Sequence, residues 1–250
     1  MPEQEVKNME NMMNQLVEYN VGNETVKLTP NVVKNYLVSG NKDAVSLQEV
    51  VMFINLCKYN QLNPWVNEAY LIKFGNEPAT MVVGKEAFQK RAEENKNYDG
   101  SDAGIIVITK EGKVIYRKGT LKLPDEQIVG GYAEVWRKDR GKSTRIEVSF
   151  DEYVGRKKDG SINSQWSKRP ATMIRKVALV QALREAFPGK LGGIYTAEEQ
   201  GVQEPNLDYR YKQIDTVQAQ DAFMDADSQQ DGIERESQEV GGLELEEVEE

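Results

Sequence analysis

Histidine is absent from the 250 residues of this chain, and cysteine occurs once, at Cys57. The missing histidine removes the side chain that most often serves as a general base near neutral pH. Together the two shortages exclude an internal disulfide and a Cys/His zinc centre. No apolar run approaches the roughly 20 residues that a membrane helix needs. The opening MPEQEVKNMENM is acidic where a signal peptide is basic and then apolar. A cytoplasmic protein with no membrane partner is expected, and Cys57 reads as a small buried hydrophobe.

Charge is abundant and unevenly placed. The net charge of −9 conceals a split: residues 1–29 carry 2 basic and 5 acidic side chains, residues 30–190 carry 27 and 19, and residues 191–250 carry 3 and 17. A basic body with a strongly acidic tail suits polyanion binding with an appended regulatory or partner-binding segment. The plainer alternative is a solvated surface with a solubilising tail.

Val6, Met9, Met13, Leu16 and Val17 recur at helical spacing, so residues 1–28 are expected to form an amphipathic helix, a candidate oligomer contact. Thr29-Pro30 starts a second helix that Gly40 ends, and Ser46 with Glu49 forms a capping box for a third. Ala69-Tyr70-Leu71-Ile72 and Thr80-Met81-Val82-Val83 read as a hairpin turned at Gly75-Asn76, followed by a helix over residues 85–96 and a Tyr98-Asp99-Gly100 loop. Residues 104–150 then show strands and turns, a meander of hairpins. Pro170 opens the strongest helix, which Pro188-Gly189 stops. The expected fold is α+β: a central antiparallel meander packed on helices, with residues 29–195 as the DNA-binding core. Residues 196–250 read as a largely disordered acidic tail, in which Leu243-Glu244-Leu245-Glu246 is a candidate docking motif.

The cations of the basic body fall into groups among Tyr116, Trp136, Tyr153 and Trp166. Lys110, Lys113, Arg117 and Lys118 lie on the first hairpin, and Arg137, Lys138 and Arg140 lie at the tip of the next. Arg156, Lys157 and Lys158 occupy a loop, and Gln165, Trp166, Lys168, Arg169, Thr172, Arg175, Lys176 and Arg184 surround or lie on the last helix. Cations beside rings are the pattern of single-strand binding, where backbone phosphates take the charge and bases take the rings. The helix start and its flanking loop, Gln165 to Lys176, rank above the hairpin tip, because helix N-termini attract phosphate. Trp166 and Tyr153 are the candidate stacking rings. The tip is then left for a second strand or a neighbouring subunit.

Two catalytic patterns fail. Gly141-Lys142-Ser143-Thr144 imitates the end of a phosphate-binding loop, but Trp136 stands where the other glycine belongs and the stretch is a hairpin turn. Glu111-Gly112-Lys113 has half a nuclease signature with Pro124-Asp125 on the wrong side, and Asp99, Asp102, Asp151 and Glu152 have no ligand spacing. No catalytic residue, metal site or cofactor is assigned, and Mg²⁺ remains only a candidate modulator of DNA binding.

Several segments, in order over roughly residues 45–195, resemble the RecT family of phage single-strand annealing recombinases. They are Asn63-Pro64-Trp65 leading to Glu68-Ala69-Tyr70-Leu71-Ile72, Val82-Val83-Gly84-Lys85-Glu86-Ala87-Phe88, Tyr98-Asp99-Gly100, Gly131-Tyr132-Ala133-Glu134-Val135, and Trp166 through Arg184. The resemblance implies a non-enzymatic, ATP-independent protein of the bacterial host cytoplasm that coats single-stranded DNA and anneals complementary strands through a duplex intermediate. It further implies a homo-oligomer, ring or helical filament, and as partners a companion 5′-to-3′ exonuclease and the host single-strand-binding protein. A passive single-strand coat and a metal-dependent nuclease are the alternatives.

Overall fold

The computed structural model describes residues 3–202, so the acidic tail from residue 203 onward, with its Leu243 to Glu246 motif, lies outside the described residues. The chain divides into compact units between Gln61 and Leu62.

In the first unit, helix α1 spans Glu3–Asn14. The expected helical stripe does not continue through Leu16 and Val17. Val17–Val21 is strand β1 and Glu24–Leu28 is strand β2, paired antiparallel with Val17 opposite Leu28 and Val21 opposite Glu24. Tyr19, Val21, Val26 and Leu28 are buried while the residues between them point outward, so period-two burial overrides the weaker helical pattern. Gly22, at φ 60°, makes the turn.

Thr29 Oγ1 accepts the Val32 N–H at 3.1 Å and Pro30 occupies the first turn of α2, Pro30–Val32, which runs on as a π-helical turn over Val33–Leu37. A short strand β3, Val38–Gly40, follows. The capping box forms as read: Ser46 Oγ accepts the Glu49 N–H at 3.2 Å and Glu49 Oε2 accepts the Ser46 N–H at 2.8 Å. It starts α3, Leu47–Tyr59, which buries Val50, Phe53, Ile54 and Cys57.

The second unit opens with the hairpin of β4, Ala69–Lys73, and β5, Thr80–Val83, then α4, Lys85–Glu93, which buries Ala87, Phe88 and Ala92. Tyr98-Asp99-Gly100 is not a loop. It begins the long strand β6, Tyr98–Ile108, where a register irregularity between Tyr98 and Ser101 and Gly100 at φ 99° absorb the break in pattern. Strands β7, Val114–Lys118, β8, Gln127–Arg137, and β9, Thr144–Ser149, complete a four-stranded antiparallel sheet in the order β7-β6-β8-β9. Short helices α5, Phe150–Tyr153, and α6, Ser164–Lys168, lead to α7, Pro170–Ala186, and α8, Pro188–Leu191. The α+β class and the antiparallel sheet packed on helices are thus both present.

Helix α7 lies across one face of the sheet. Ala133 and Val135 of β8 and Ala103, Ile105 and Val107 of β6 face it and are buried. The contact is closest at Gly131, where an added Cβ would stand 2.6 Å from the Ile174 carbonyl oxygen. Ten of the helix's residues are buried, as its apolar circumference requires. The opposite sheet face carries Tyr116, Lys118, Tyr132, Glu134, Trp136, Arg145 and Glu147, which the strand registers place together.

Candidate nucleic-acid interface

The cations expected to meet phosphate on α7 are engaged inside the unit. Lys176 is 9% exposed and its Nζ lies 3.1 Å from Glu198 Oε1. Arg175 Nε donates to the Ala103 carbonyl at 3.0 Å, tying the helix to β6. Arg184 Nη1 donates to Glu199 at 2.9 Å, and its guanidinium lies 4.9 Å from the Tyr195 ring. That bond to Glu199 holds the guanidinium pKa above its ordinary value. A helix this deeply packed places its mid-helix cations against its own core, which the sequence read as a phosphate-facing side.

Trp166, expected as a stacking ring, packs inward. It is 3% exposed, with its ring edge-on to Phe150 at 5.5 Å between centroids. Asn163 caps α6 by accepting the Gln165 and Trp166 N–H groups, each at 3.1 Å, and so turns the indole inward. The half-buried Gln165 lies beside it. Tyr153, the other expected ring, accepts a hydrogen bond from Gln181 at 2.8 Å.

On the first hairpin Lys110 pairs with Asp125 at 2.7 Å and Lys118 with Asp102 at 3.0 Å. Arg117 grips Glu126, with Nε 2.8 Å from Oε2. The guanidinium holds the buried Glu126 carboxyl below its ordinary range. Arg137, expected at the tip, points the other way: it donates to the Ala186 carbonyl at the end of α7, pairs with Asp139 at 2.6 Å and lies 4.7 Å from the Phe187 ring. Arg156 donates to the Gly160 carbonyl within its own loop.

Among the described residues, the expected cations left exposed without an ion pair are Lys113, Lys138, Arg140, Arg156, Lys157, Lys158, Lys168 and Arg169, and the neighbouring Lys142 joins them. Lys113, between β6 and β7, and the group between β8 and β9 lie at opposite ends of the sheet. Lys138, Arg140 and Lys142 form the β8–β9 tip. Lys168 and Arg169 stand at the α6–α7 junction, near exposed Thr172, where Lys122, Phe150, Trp166 and Pro170 line a cleft of about 510 Å³ that also reaches the start of β8. The eleven residues of β8 separate the ends by roughly 30 Å.

Between these ends the cations of the open face are paired, with three carboxylates, Asp102, Glu134 and Glu147, to two cations, Lys118 and Arg145. Arg145 Nη2 lies 2.9 Å from Glu147 Oε1 and Nη1 3.5 Å from Glu134 Oε2, with the guanidinium 5.1 and 5.3 Å from the Tyr116 and Tyr132 rings. Tyr116 donates its hydroxyl to Glu147 at 3.0 Å, which raises the phenol's pKa. Tyr132 lies down over Gly104, where a Cβ would meet its ring at 2.6 Å. Tyr116 and Trp136 remain 46% and 37% exposed. These two rings were not placed in the expected site. For Trp136 the available signal was its alternation with Tyr132 and Glu134, which puts the three on one face of β8.

A model of the RecT family matches residues 23–217, and the chain belongs to that family. It is 30% identical over 167 residues to an uncharacterized protein, UU154, of Ureaplasma parvum, the match covering 65% of this chain and 66% of that protein. It is 25% identical over 161 residues to the recombination protein bet of Escherichia phage lambda, covering 63% of this chain and 52% of that protein. In each case the match spans less than two thirds of the relative's own length. No described helix is long and apolar enough to cross a membrane.

Proposed function

We propose that this chain binds single-stranded DNA and anneals complementary strands in phage recombination, without ATP and without cutting DNA. The reading is supported by membership of the RecT family and by the name of the lambda relative. The observation that carries it is a set of exposed cations without an ion pair at the two ends of the sheet, Lys138, Arg140 and Lys142 at one and Lys113, Lys168 and Arg169 at the other. Unpaired surface cations release counterions from phosphate when they bind, and that release drives sequence-independent association.

Annealing is opposed by phosphate repulsion and by the rarity of complementary register. Cations at each end of the sheet lower the first. A homo-oligomer, ring or helical filament, would hold a long strand extended, so that a second strand samples pairing repeatedly until the duplex intermediate forms. Base pairing supplies the free energy, so no nucleotide is hydrolysed. A companion 5′-to-3′ exonuclease would supply the single strand and the host single-strand-binding protein would occupy it beforehand. The cytoplasm of the bacterial host is the setting, and Mg²⁺ acts only as a modulator of DNA binding.

Two complementary labelled oligonucleotides mixed with the protein, Mg²⁺ present and ATP omitted, test the proposal. Accelerated duplex formation with intact strands is expected. Binding without acceleration would make the protein a passive coat, and strand cleavage would make it a nuclease.

A further inference from the structure

We infer that the open face of the four-stranded sheet, from Trp136 to Tyr116, is a stacking platform for the bases of the bound single strand. The inference rests on the proposed DNA binding and specifies where bases, rather than phosphates, are held. Four antiparallel strands backed by a helix, with aromatic rings on the free face, are the architecture on which other modules stack two or three bases.

Charge selects the occupant. On this face Arg145 is held by Glu134 and Glu147, and Lys118 by Asp102, so the surface between the rings offers phosphate no unpaired cation and several carboxylates. A base is uncharged and presents a π-face, so exposed rings on ground without a free cation suit it. The unpaired cations flank this ground at both ends of the sheet. Lys138 lies two residues beyond Trp136, in the turn that follows β8, with Arg140 and Lys142 in the same tip. A ring beside free cations fits one nucleotide, base on indole and phosphate on ammonium. At the other end of the face the Tyr116 ring is held in place by its hydroxyl bond to Glu147 and by Tyr132, 5.6 Å away edge-on. A stacking ring fixed beforehand loses little entropy when a base arrives.

The test measures affinity of the full chain for two oligonucleotides of equal length, one of thymidines and one of abasic residues, for the wild type, Trp136→Ala, Trp136→Phe and Tyr116→Ala. Each alanine variant should weaken thymidine binding about tenfold, within the range for loss of one stacked base, and leave abasic binding unchanged. Trp136→Phe should restore most of the difference. Equal loss on both oligonucleotides, or no loss on either, overturns the inference while leaving DNA binding standing. A changed subunit number for the alanine variants without DNA also overturns it, because the face would then be a contact between copies. A wild type that binds neither oligonucleotide overturns the DNA-binding proposal itself.

Discussion

The Lys176 ammonium lies 3.1 Å from the Glu198 carboxylate with both side chains buried, which joins α7 to the segment that follows α8. Removing one partner of a buried pair strands the other charge, at a cost of about 3–5 kcal/mol. Lys176→Met and Glu198→Leu should each destabilise the fold by that order in urea denaturation, and the double substitution by less than either. The salt dependence of DNA binding by Lys176→Met, measured where the variant is folded, should match the wild type.

The hairpin tip should behave oppositely. Lys138, Arg140 and Lys142 are exposed, so replacing all three with alanine should leave the unfolding midpoint nearly unchanged. The slope of log affinity against log salt for single-stranded DNA should become shallower by about 2, at roughly 0.7 per phosphate contact. Titrations at four or five salt concentrations read this directly.

Most of the framework was legible in the sequence because its signals are local. The Ser46/Glu49 box, Thr29-Pro30 and the proline start of α7 each satisfy or remove helix-end N–H groups within four residues, and all three appear as read. The site was less legible because a cation's role depends on distant partners. Glu126 is nine residues from Arg117, Ala103 is seventy-two from Arg175, and Glu198 is twenty-two from Lys176. No local pattern distinguishes Lys176, which is consumed by the core, from Lys138, which is not. The β1–β2 hairpin was missed for a related reason: Val17 fits both a helical stripe and an alternating strand, and tertiary burial chose the strand.

Acid should expose the Arg117–Glu126 pair. Arg117 lowers the Glu126 carboxyl from its ordinary value of 4.5, so the pair's stabilisation is complete above that value and is lost as pH falls through the depressed folded one. The stability difference between wild type and Glu126→Gln should therefore be constant near neutrality and shrink as pH falls below 4.5. Chemical denaturation across that range measures it.

Gly131 is where α7 and β8 come closest. The 2.6 Å separation between an added Cβ and the Ile174 carbonyl cannot be relieved by a side-chain rotation, since the obstacle is backbone. Gly131→Ala should cost about 1–3 kcal/mol through helix displacement, read as a lower urea midpoint.

The central claim is that unpaired surface cations, and not nucleotide hydrolysis, bring complementary strands together. It is tested most directly by the rate of annealing of two complementary oligonucleotides without ATP, compared between the wild type and the triple alanine variant of Lys138, Arg140 and Lys142. A rate well above the protein-free rate for the wild type, falling toward that rate for the folded variant, is predicted. A wild-type rate equal to that of DNA alone, or a triple variant as fast as the wild type, would contradict it.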